Sequence, residues 1–193
     1  DRLPGGAASS PGTAPEPVAQ WRGHCDHDLL ASYASRLGHI YGEALLAVES
    51  NSLESAADGA SQYILEELRA CYRNLYVRTP KDTTSDPSPA PRVGFHTNRR
   101  TKSLIITGLI AAVRDGRYRE LDNDTCNELA TYELRENGSY AARSGFHDDL
   151  LMTRAIALYI ISGLPHITAS TPEPDAAKAA TARRRDDAIR NIY

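Results

Sequence analysis

A continuous apolar run at residues 44–48 (Ala-Leu-Leu-Ala-Val) stands between two segments with helical spacing. A run of this length without polar alternation is typical of an interior strand that is covered on both faces. Before it, at residues 26–41, and after it, at about residues 59–71, apolar side chains recur every three or four positions, as in amphipathic helices. A second short strand follows at residues 75–77. Helix and strand therefore alternate, which predicts an α/β fold.

The remainder of the chain contains clear local signals. Residues 4–17 are rich in Pro, Gly, Ala and Ser and predict a loop leading to a strand at residues 18–22. Residues 79–91 contain four prolines and predict a surface loop. Beyond it the pattern predicts a helix capped by Thr97 or Asn98 and closed by Gly116, a turn or helix at residues 122–129, a hairpin with a two-residue Asn137-Gly138 turn, and a helix at residues 147–161.

Composition restricts the possible partners and compartment. With 22 Lys plus Arg against 25 Asp plus Glu, the formal net charge is -3, so nucleic acid would have to be held by a local basic patch or by bound metal. The three cysteines are odd in number and distant in sequence, which argues against a disulfide framework and favours a reducing compartment. No stretch is apolar and long enough to predict a membrane span, and the start of the sequence does not resemble a signal peptide.

Three acidic residues are candidates for metal binding. Glu49 ends the apolar run, and carboxylates at strand ends lie where an open α/β sheet presents its crevice. Asp148 and Asp149 fall in the first turn of the last helix, where they would otherwise serve as caps. Hard oxygen ligands converging from different elements are what Mg²⁺ or Mn²⁺ requires, and paired ions can hydrolyse a phosphodiester. Asn51 and His147 are supporting polar groups, and His147 could orient a ligand or the water.

A second cluster consists of hydrogen-bond donors at the start of a helix. The cluster lies beyond the proline-rich loop and occupies four of the five positions 98–102; its members are Asn98, Arg99, Arg100 and Lys102. Helix N-termini bind phosphate oxygens, and Arg and Lys add positive charge there. These residues predict a surface that contacts the phosphate backbone without reading base sequence. The alternative is that the cluster is an ordinary solvated helix start.

The order and spacing of five segments resemble the nuclease domain of the large terminase subunit of tailed bacteriophages, an RNase H-like fold. The segments are residues 18–23 (Val-Ala-Gln-Trp-Arg-Gly), 41–51 (Tyr-Gly-Glu-Ala-Leu-Leu-Ala-Val-Glu-Ser-Asn), 75–78 (Leu-Tyr-Val-Arg), 94–98 (Gly-Phe-His-Thr-Asn) with Thr101 and Lys102, and 145–150 (Gly-Phe-His-Asp-Asp-Leu). The resemblance implies a mixed sheet flanked by helices, with residues 18–165 as the nuclease domain. Residues 1–17 would be a loop or the remnant of a preceding strand, and residues 166–193 a polar tail able to form a helix.

The resemblance also implies an activity and partners. Glu49, Asp148 and Asp149 would hold two Mg²⁺ or Mn²⁺ ions and cleave concatemeric double-stranded DNA during packaging. The small terminase subunit and the portal protein would be partners, the isolated domain would be a monomer, and the reaction would take place in the cytoplasm of the bacterial host.

One catalytic group of the family has no counterpart in this sequence. Family members carry a further Asp on a first strand, which would precede residue 1, so the chain is expected to cleave DNA weakly or not at all. Two alternatives remain open. One is a Holliday-junction resolvase or another RNase H-like nuclease, and the other is a non-catalytic protein-docking module in which the acids are caps.

Overall fold

A computed structural model describes residues 14–51, 60–78 and 91–163 of the chain. These residues form helices and short strands, so the fold is α/β in the broad sense. The helices are α1 (His27–Ile40), α2 (Ala60–Cys71), α3 (Arg99–Arg114), α4 (Asn123–Ala130) and α5 (Asp149–Gly163). The strands are β1 (Val77–Arg78), β2 (Arg92–Val93), β3 (Tyr132–Leu134) and β4 (Tyr140–Ala142). Strand β1 pairs with β2, and β3 with β4, in two antiparallel sheets.

The chain divides into two compact units. The described part of one covers residues 14–22 and 99–163 and is called the hairpin unit; that of the other covers residues 23–51, 60–78 and 91–98 and is called the α1–α2 unit. The predicted boundaries at residues 17 and 165 remain predictions. Residues 1–13 of the predicted loop at residues 1–17, most of the proline-rich loop and the predicted tail at residues 166–193 lie outside the described residues. None of the described helices has the length and apolar character needed to span a bilayer.

In the α1–α2 unit, two helices pack against the predicted apolar run. Ala31 of α1 and Ile64 and Leu68 of α2 form the buried cluster, and Leu46 and Val48 pack against it. The run pairs in parallel at isolated points, Leu46 with residue 75 and Glu49 with residue 95, instead of forming a continuous strand. Residues 44–48 are only partly buried, so the prediction of a strand covered on both faces was wrong.

In the hairpin unit, α5 is the central element. Its buried residues are spread around much of its circumference and contact α3 and α4; they are Leu150, Leu151, Met152, Ala155, Ile156, Leu158 and Ile160. The helix begins at Asp149, two residues later than predicted. Helix α3 is closed as predicted by Gly116, which lies two positions beyond its last residue and has φ +66. Arg117 N–H donates to the Ala112 carbonyl and Gly116 N–H to the Val113 carbonyl, the bonds of a Schellman motif.

The predicted hairpin forms, but its loop has three residues where the sequence predicted two. Arg135 N–H donates to the Ser139 carbonyl (2.9 Å) and Gly138 N–H to the Arg135 carbonyl (2.8 Å). Gly138 adopts φ +73, as in a turn whose last residue is left-handed and forms a bulge. Tyr132 consequently pairs with Ala142, and residue 134 with residue 140. Asn-Gly alone does not distinguish these two loops, because both need a residue with positive φ.

Residues 18–22 do not form the predicted strand. Side chains hold this segment in the hairpin unit: Gln20 Oε1 accepts hydrogen bonds from Arg154 and from Thr125. Arg154 also pairs with Glu120 at 3.1 Å, in a site where both side chains are largely buried. Burial by itself raises the pKa of Glu120, but hydrogen bonds from Tyr118 and the residue 122 backbone, and the charge of Arg154, outweigh it. The pKa of Glu120 therefore lies below its ordinary value.

Candidate functional site

The two aspartates predicted to bind metal lie where α5 begins. Asp148 is the N-cap residue, since its carbonyl accepts the Met152 N–H at 2.9 Å, and Asp149 is the first helical residue. A side chain from α4 accepts a first-turn amide: Glu128 Oε2 takes the buried N–H of Leu151 at 2.9 Å. The described hydrogen bonds therefore give this capping role to Glu128 and leave the two aspartate carboxylates to other partners.

Lys102 of α3 pairs with Asp148. The distance from Nζ to Asp148 Oδ2 is 3.1 Å, and each side chain is 30% exposed. The ammonium also lies 5.7 Å from the centroid of the Tyr132 ring, within the range of a cation–π interaction. Burial by itself lowers the pKa of Lys102, but the hydrogen bond to Asp148 and the interaction with Tyr132 outweigh it, so this pKa lies above its ordinary value. Lys102 is thus fully charged at neutral pH beside a predicted metal ligand.

Tyr132 forms the apolar floor under this ion pair. Burial raises the pKa of its hydroxyl above the ordinary value, although the Lys102 ammonium opposes the shift. The hydroxyl is therefore protonated at neutral pH. Its ring stacks on that of Tyr140 across the hairpin, with centroids 6.3 Å apart and planes 4° from parallel.

A second cation approaches Asp149. Arg22 lies 3.4 Å from both Glu128 Oε1 and Asp149 Oδ2, through different guanidinium nitrogens. The Glu128 side chain is 8% exposed, whereas that of Asp149 is 70% exposed. Since solvent weakens exposed ion pairs, Arg22 acts mainly on Glu128 and leaves Asp149 accessible.

A groove runs between α3 and the turn of the hairpin. Its volume is about 910 Å³, and it is lined by three cations, several hydroxyl groups and small residues: Arg99, Arg100, Lys102, Ser103, Leu104, Thr107, Gly138, Ser139 and Tyr140. Arg99 Nη2 donates to the Asn137 carbonyl at 2.9 Å, which ties the turn to the start of the helix. The structure therefore brings three of the four predicted phosphate-binding residues to one concave surface.

The other predicted residues near these segments are placed as follows. Asn98 directly precedes α3 and belongs to the α1–α2 unit, and its side chain is partly exposed. His147 is exposed and precedes the α5 N-cap. Neither residue lines the groove.

Glu49 lies in the α1–α2 unit, in the segment that pairs with Phe95. Phe95 N–H donates to the Val48 carbonyl at 2.7 Å, and Ser50 N–H donates to the Phe95 carbonyl at 2.8 Å. The Glu49 side chain is exposed, and no ion pair with it is found among the described residues. It is therefore an accessible carboxylate on a backbone that is fixed on both sides of it.

Asn51 supports this segment in a way that its sequence position did not specify. Its Oδ1 accepts the Thr97 N–H at 2.7 Å, and its Nδ2 donates to the Thr97 carbonyl. The amide side chain thus takes the place of a backbone partner and continues the pairing beyond Ser50. The prediction of Asn51 as a supporting residue stays a prediction for metal binding, but the residue does organise this part of the unit.

Next to Glu49 along the chain, Ser50 makes a buried polar contact with Arg78 that the sequence did not predict. Arg78 is 5% exposed and donates to Ser50 Oγ at 2.7 Å, and this hydroxyl donates to the Phe95 carbonyl. Gly94 has φ +94, and a Cβ there would lie 2.8 Å from the Val48 carbonyl oxygen. Only glycine permits this close approach of the two backbones.

The predicted ligands are divided between the two units. Asp148 and Asp149 belong to the hairpin unit and Glu49 to the α1–α2 unit. Within the described ranges, no group of three or more His, Cys, Asp and Glu side chains is arranged to hold a metal ion. The convergence of the three carboxylates stays a prediction.

Comparison of the sequence with models of known protein families gives no match, and comparison with curated proteins gives none either. The function of this chain must therefore be inferred from the chemistry of its own residues. In the hairpin unit, a groove lined by three cations adjoins an aspartate pair through Lys102.

Proposed function

We propose that this chain is the metal-dependent endonuclease domain of a bacteriophage DNA-packaging terminase, with an RNase H-like fold, and that it hydrolyses concatemeric double-stranded DNA. One observation carries the proposal: Lys102 belongs both to the lining of the groove and to the ion pair with Asp148. Two-metal hydrolysis of DNA uses metal-binding carboxylates, and cations beside them hold the phosphate backbone. Lys102 marks the place in the hairpin unit where both kinds of group meet.

The groove suits the DNA backbone. Arg99, Arg100 and Lys102 supply positive charge, and the hydroxyl of Tyr140 is a further hydrogen-bond donor on its lining. Because the whole chain has a net charge of -3, this local charge, not the overall field, would attract phosphate. Contacts of this type give affinity without base readout. Asn98, one position before α3, stays a predicted contact to the phosphate backbone.

The carboxylates suit Mg²⁺ or Mn²⁺. Glu49, Asp148 and Asp149 offer the hard oxygen donors that these ions prefer, and all three side chains are at least partly accessible. Bound there, two such ions would activate the attacking water and stabilise the leaving oxygen. Glu49 is the third proposed ligand, as the resemblance implies. His147, exposed beside that pair, would orient a ligand or the water.

Because the groove reads no bases, the position of cleavage would be chosen by partners, namely the small terminase subunit and the portal protein. The domain would act as a monomer in the cytoplasm of the bacterial host.

The metal site is tested by titrating the chain with Mn²⁺ and following free Mn²⁺ by electron paramagnetic resonance. Glu49→Gln and Asp148→Asn should each weaken binding by roughly tenfold or more. Asp115→Asn is the matched control, because Asp115 is an acid at the far end of α3 that pairs with Arg114 and Arg117. The two site variants should also reduce the slow Mn²⁺-dependent nicking of supercoiled plasmid, whereas Asp115→Asn should leave it unchanged. Wild-type binding in both site variants would overturn the proposed ligands.

The groove is tested separately by the fluorescence anisotropy of a labelled DNA duplex. Arg100→Met should weaken binding, and it should reduce the slope of log affinity against log salt by about 0.9 for each phosphate that the variant no longer neutralises. Arg114→Met is the control, because it removes the same charge from the opposite end of the same helix. Equal effects of the two substitutions would show that the groove is not the binding surface.

A non-catalytic role is the second candidate, because Asp148 and Asp149 both have cationic partners in the structure. In that case the acids stabilise the hairpin unit, which would dock to a partner protein. The chain would then bind no Mn²⁺, while Asp148→Asn would lower its melting temperature. A preference for branched over linear duplexes in the anisotropy assay would instead favour a resolvase.

A further inference from the structure

Lys102 lies between the Asp148 carboxylate and the groove. It can pair with the carboxylate or with a phosphate in the groove, but not with both at once. Its ammonium is held by Asp148 at 3.1 Å, and the same side chain forms part of the groove wall. We propose that Lys102 is a positioning residue that couples the two sites: it is held by Asp148 while that carboxylate is negatively charged, and it moves to a DNA phosphate when a divalent cation neutralises the carboxylate. This inference rests on the proposed function and specifies how that site is regulated.

The geometry favours such a transfer. Lys102 and Asp148 are 30% exposed, so the pair is neither sealed in the core nor fully solvated. The Tyr132 ring beneath the ammonium keeps it near the pair and supplies no competing charge. A lysine stem is flexible and its ammonium has three donors, so it can change partners without movement of the helix.

The electrostatics give the direction of the coupling. A divalent cation on Asp148 would remove the attraction that holds the ammonium there and replace it with repulsion. The released ammonium would then bind a DNA phosphate in the groove, alongside Arg99 and Arg100. Thermodynamic linkage then requires DNA to strengthen cation binding by the same factor as the cation strengthens DNA binding.

The coupling can be measured without any metal, because Asp148→Asn neutralises the carboxylate as a cation would. The experiment compares wild type, Lys102→Met, Asp148→Asn and the double variant in EDTA, using anisotropy of a labelled duplex across a range of salt concentrations. The slope of log affinity against log salt reports how many phosphates the protein neutralises. Asp148→Asn should steepen the slope by about 0.9 relative to wild type, and the double variant should lack this increase.

A second measurement follows the metal. Lys102→Met keeps the apolar stem over Tyr132 but removes the competing charge, so it should bind Mn²⁺ about three- to tenfold more tightly than wild type. Lys102→Arg keeps the charge and should retain the wild-type Mn²⁺ affinity. Circular dichroism and thermal melting of every variant show whether it is folded before its binding is compared.

The outcomes separate this inference from the proposed function. If wild type binds the duplex and Arg100→Met weakens that binding, but Asp148→Asn leaves the slope unchanged, the coupling is refuted and the groove stands. A steeper slope in the double variant as well would also refute it, since Lys102 would not be the released group. If wild type binds neither the duplex nor Mn²⁺, the proposed function itself fails.

Discussion

Removal of the Glu128 carboxylate should loosen the start of α5. In Glu128→Ala the buried Leu151 N–H loses its acceptor and Arg22 loses its better-shielded partner. A hydrogen bond to a charged group contributes about 1.5–3 kcal/mol, and an unsatisfied buried donor costs a similar amount. We therefore expect the free energy of unfolding to fall by about 2–3 kcal/mol. For a chain of this length that corresponds to a decrease in melting temperature of about 4–12 °C.

The matched variant is Glu128→Gln, which keeps an oxygen acceptor but loses the charge. It should cost less than about half as much as the alanine variant. Urea unfolding followed by circular dichroism measures both values, and hydrogen exchange of the Leu151 amide reports on the hydrogen bond itself. Equal losses in the two variants, or an unchanged exchange rate in Glu128→Ala, would refute the assignment of Glu128 as the cap.

Two further predictions concern stability. Gly94→Ala places a Cβ 2.8 Å from the Val48 carbonyl oxygen at φ +94, and it should destabilise the chain by about 2 kcal/mol or more in urea unfolding. Gly145→Ala has a similar φ, +85, but no atom near its Cβ, so it should cost only about 1 kcal/mol; equal costs would contradict the role of the close approach. Glu120 has a lowered pKa, so its stabilising effect is present above the ordinary glutamate pKa of about 4.3 and is lost as the pH falls through its folded-state pKa. The difference in unfolding free energy between wild type and Glu120→Gln should therefore shrink below about pH 4, and a constant difference would contradict this.

Local signals in the sequence predicted local structure well. Asp122 caps α4 as its residue type suggests, accepting the Thr125 N–H at 2.7 Å, and Gly116 ends α3 in the left-handed conformation. Asp26, where the predicted helix at residues 26–41 begins, is the N-cap residue of α1, although its side chain makes no capping bond there. These features depend on residues within a few positions of one another, which is why periodicity and turn chemistry are sufficient to find them.

Contacts between distant parts of the chain were beyond such reasoning. Glu128 and Leu151 are 23 positions apart, and Lys102 and Asp148 are 46 apart. The sequence marked Lys102 and Asp148 as members of two separate clusters, and nothing local indicated that they would pair. Glu128 falls three positions after the buried Thr125, on the inner face of α4, and that spacing is the one signal that could have singled it out.

The three-residue loop of the hairpin has a consequence for how variants of this protein would behave. In the observed register Tyr132 and Tyr140 project from the same side of the ribbon, which allows their rings to stack. Deleting Glu136 would leave Asn137-Gly138 as a two-residue loop, which closes the same pairing in a type I′ turn and keeps Tyr140 on its side of the ribbon. The tip of the hairpin can therefore lose one residue without moving Tyr140 from the wall of the groove.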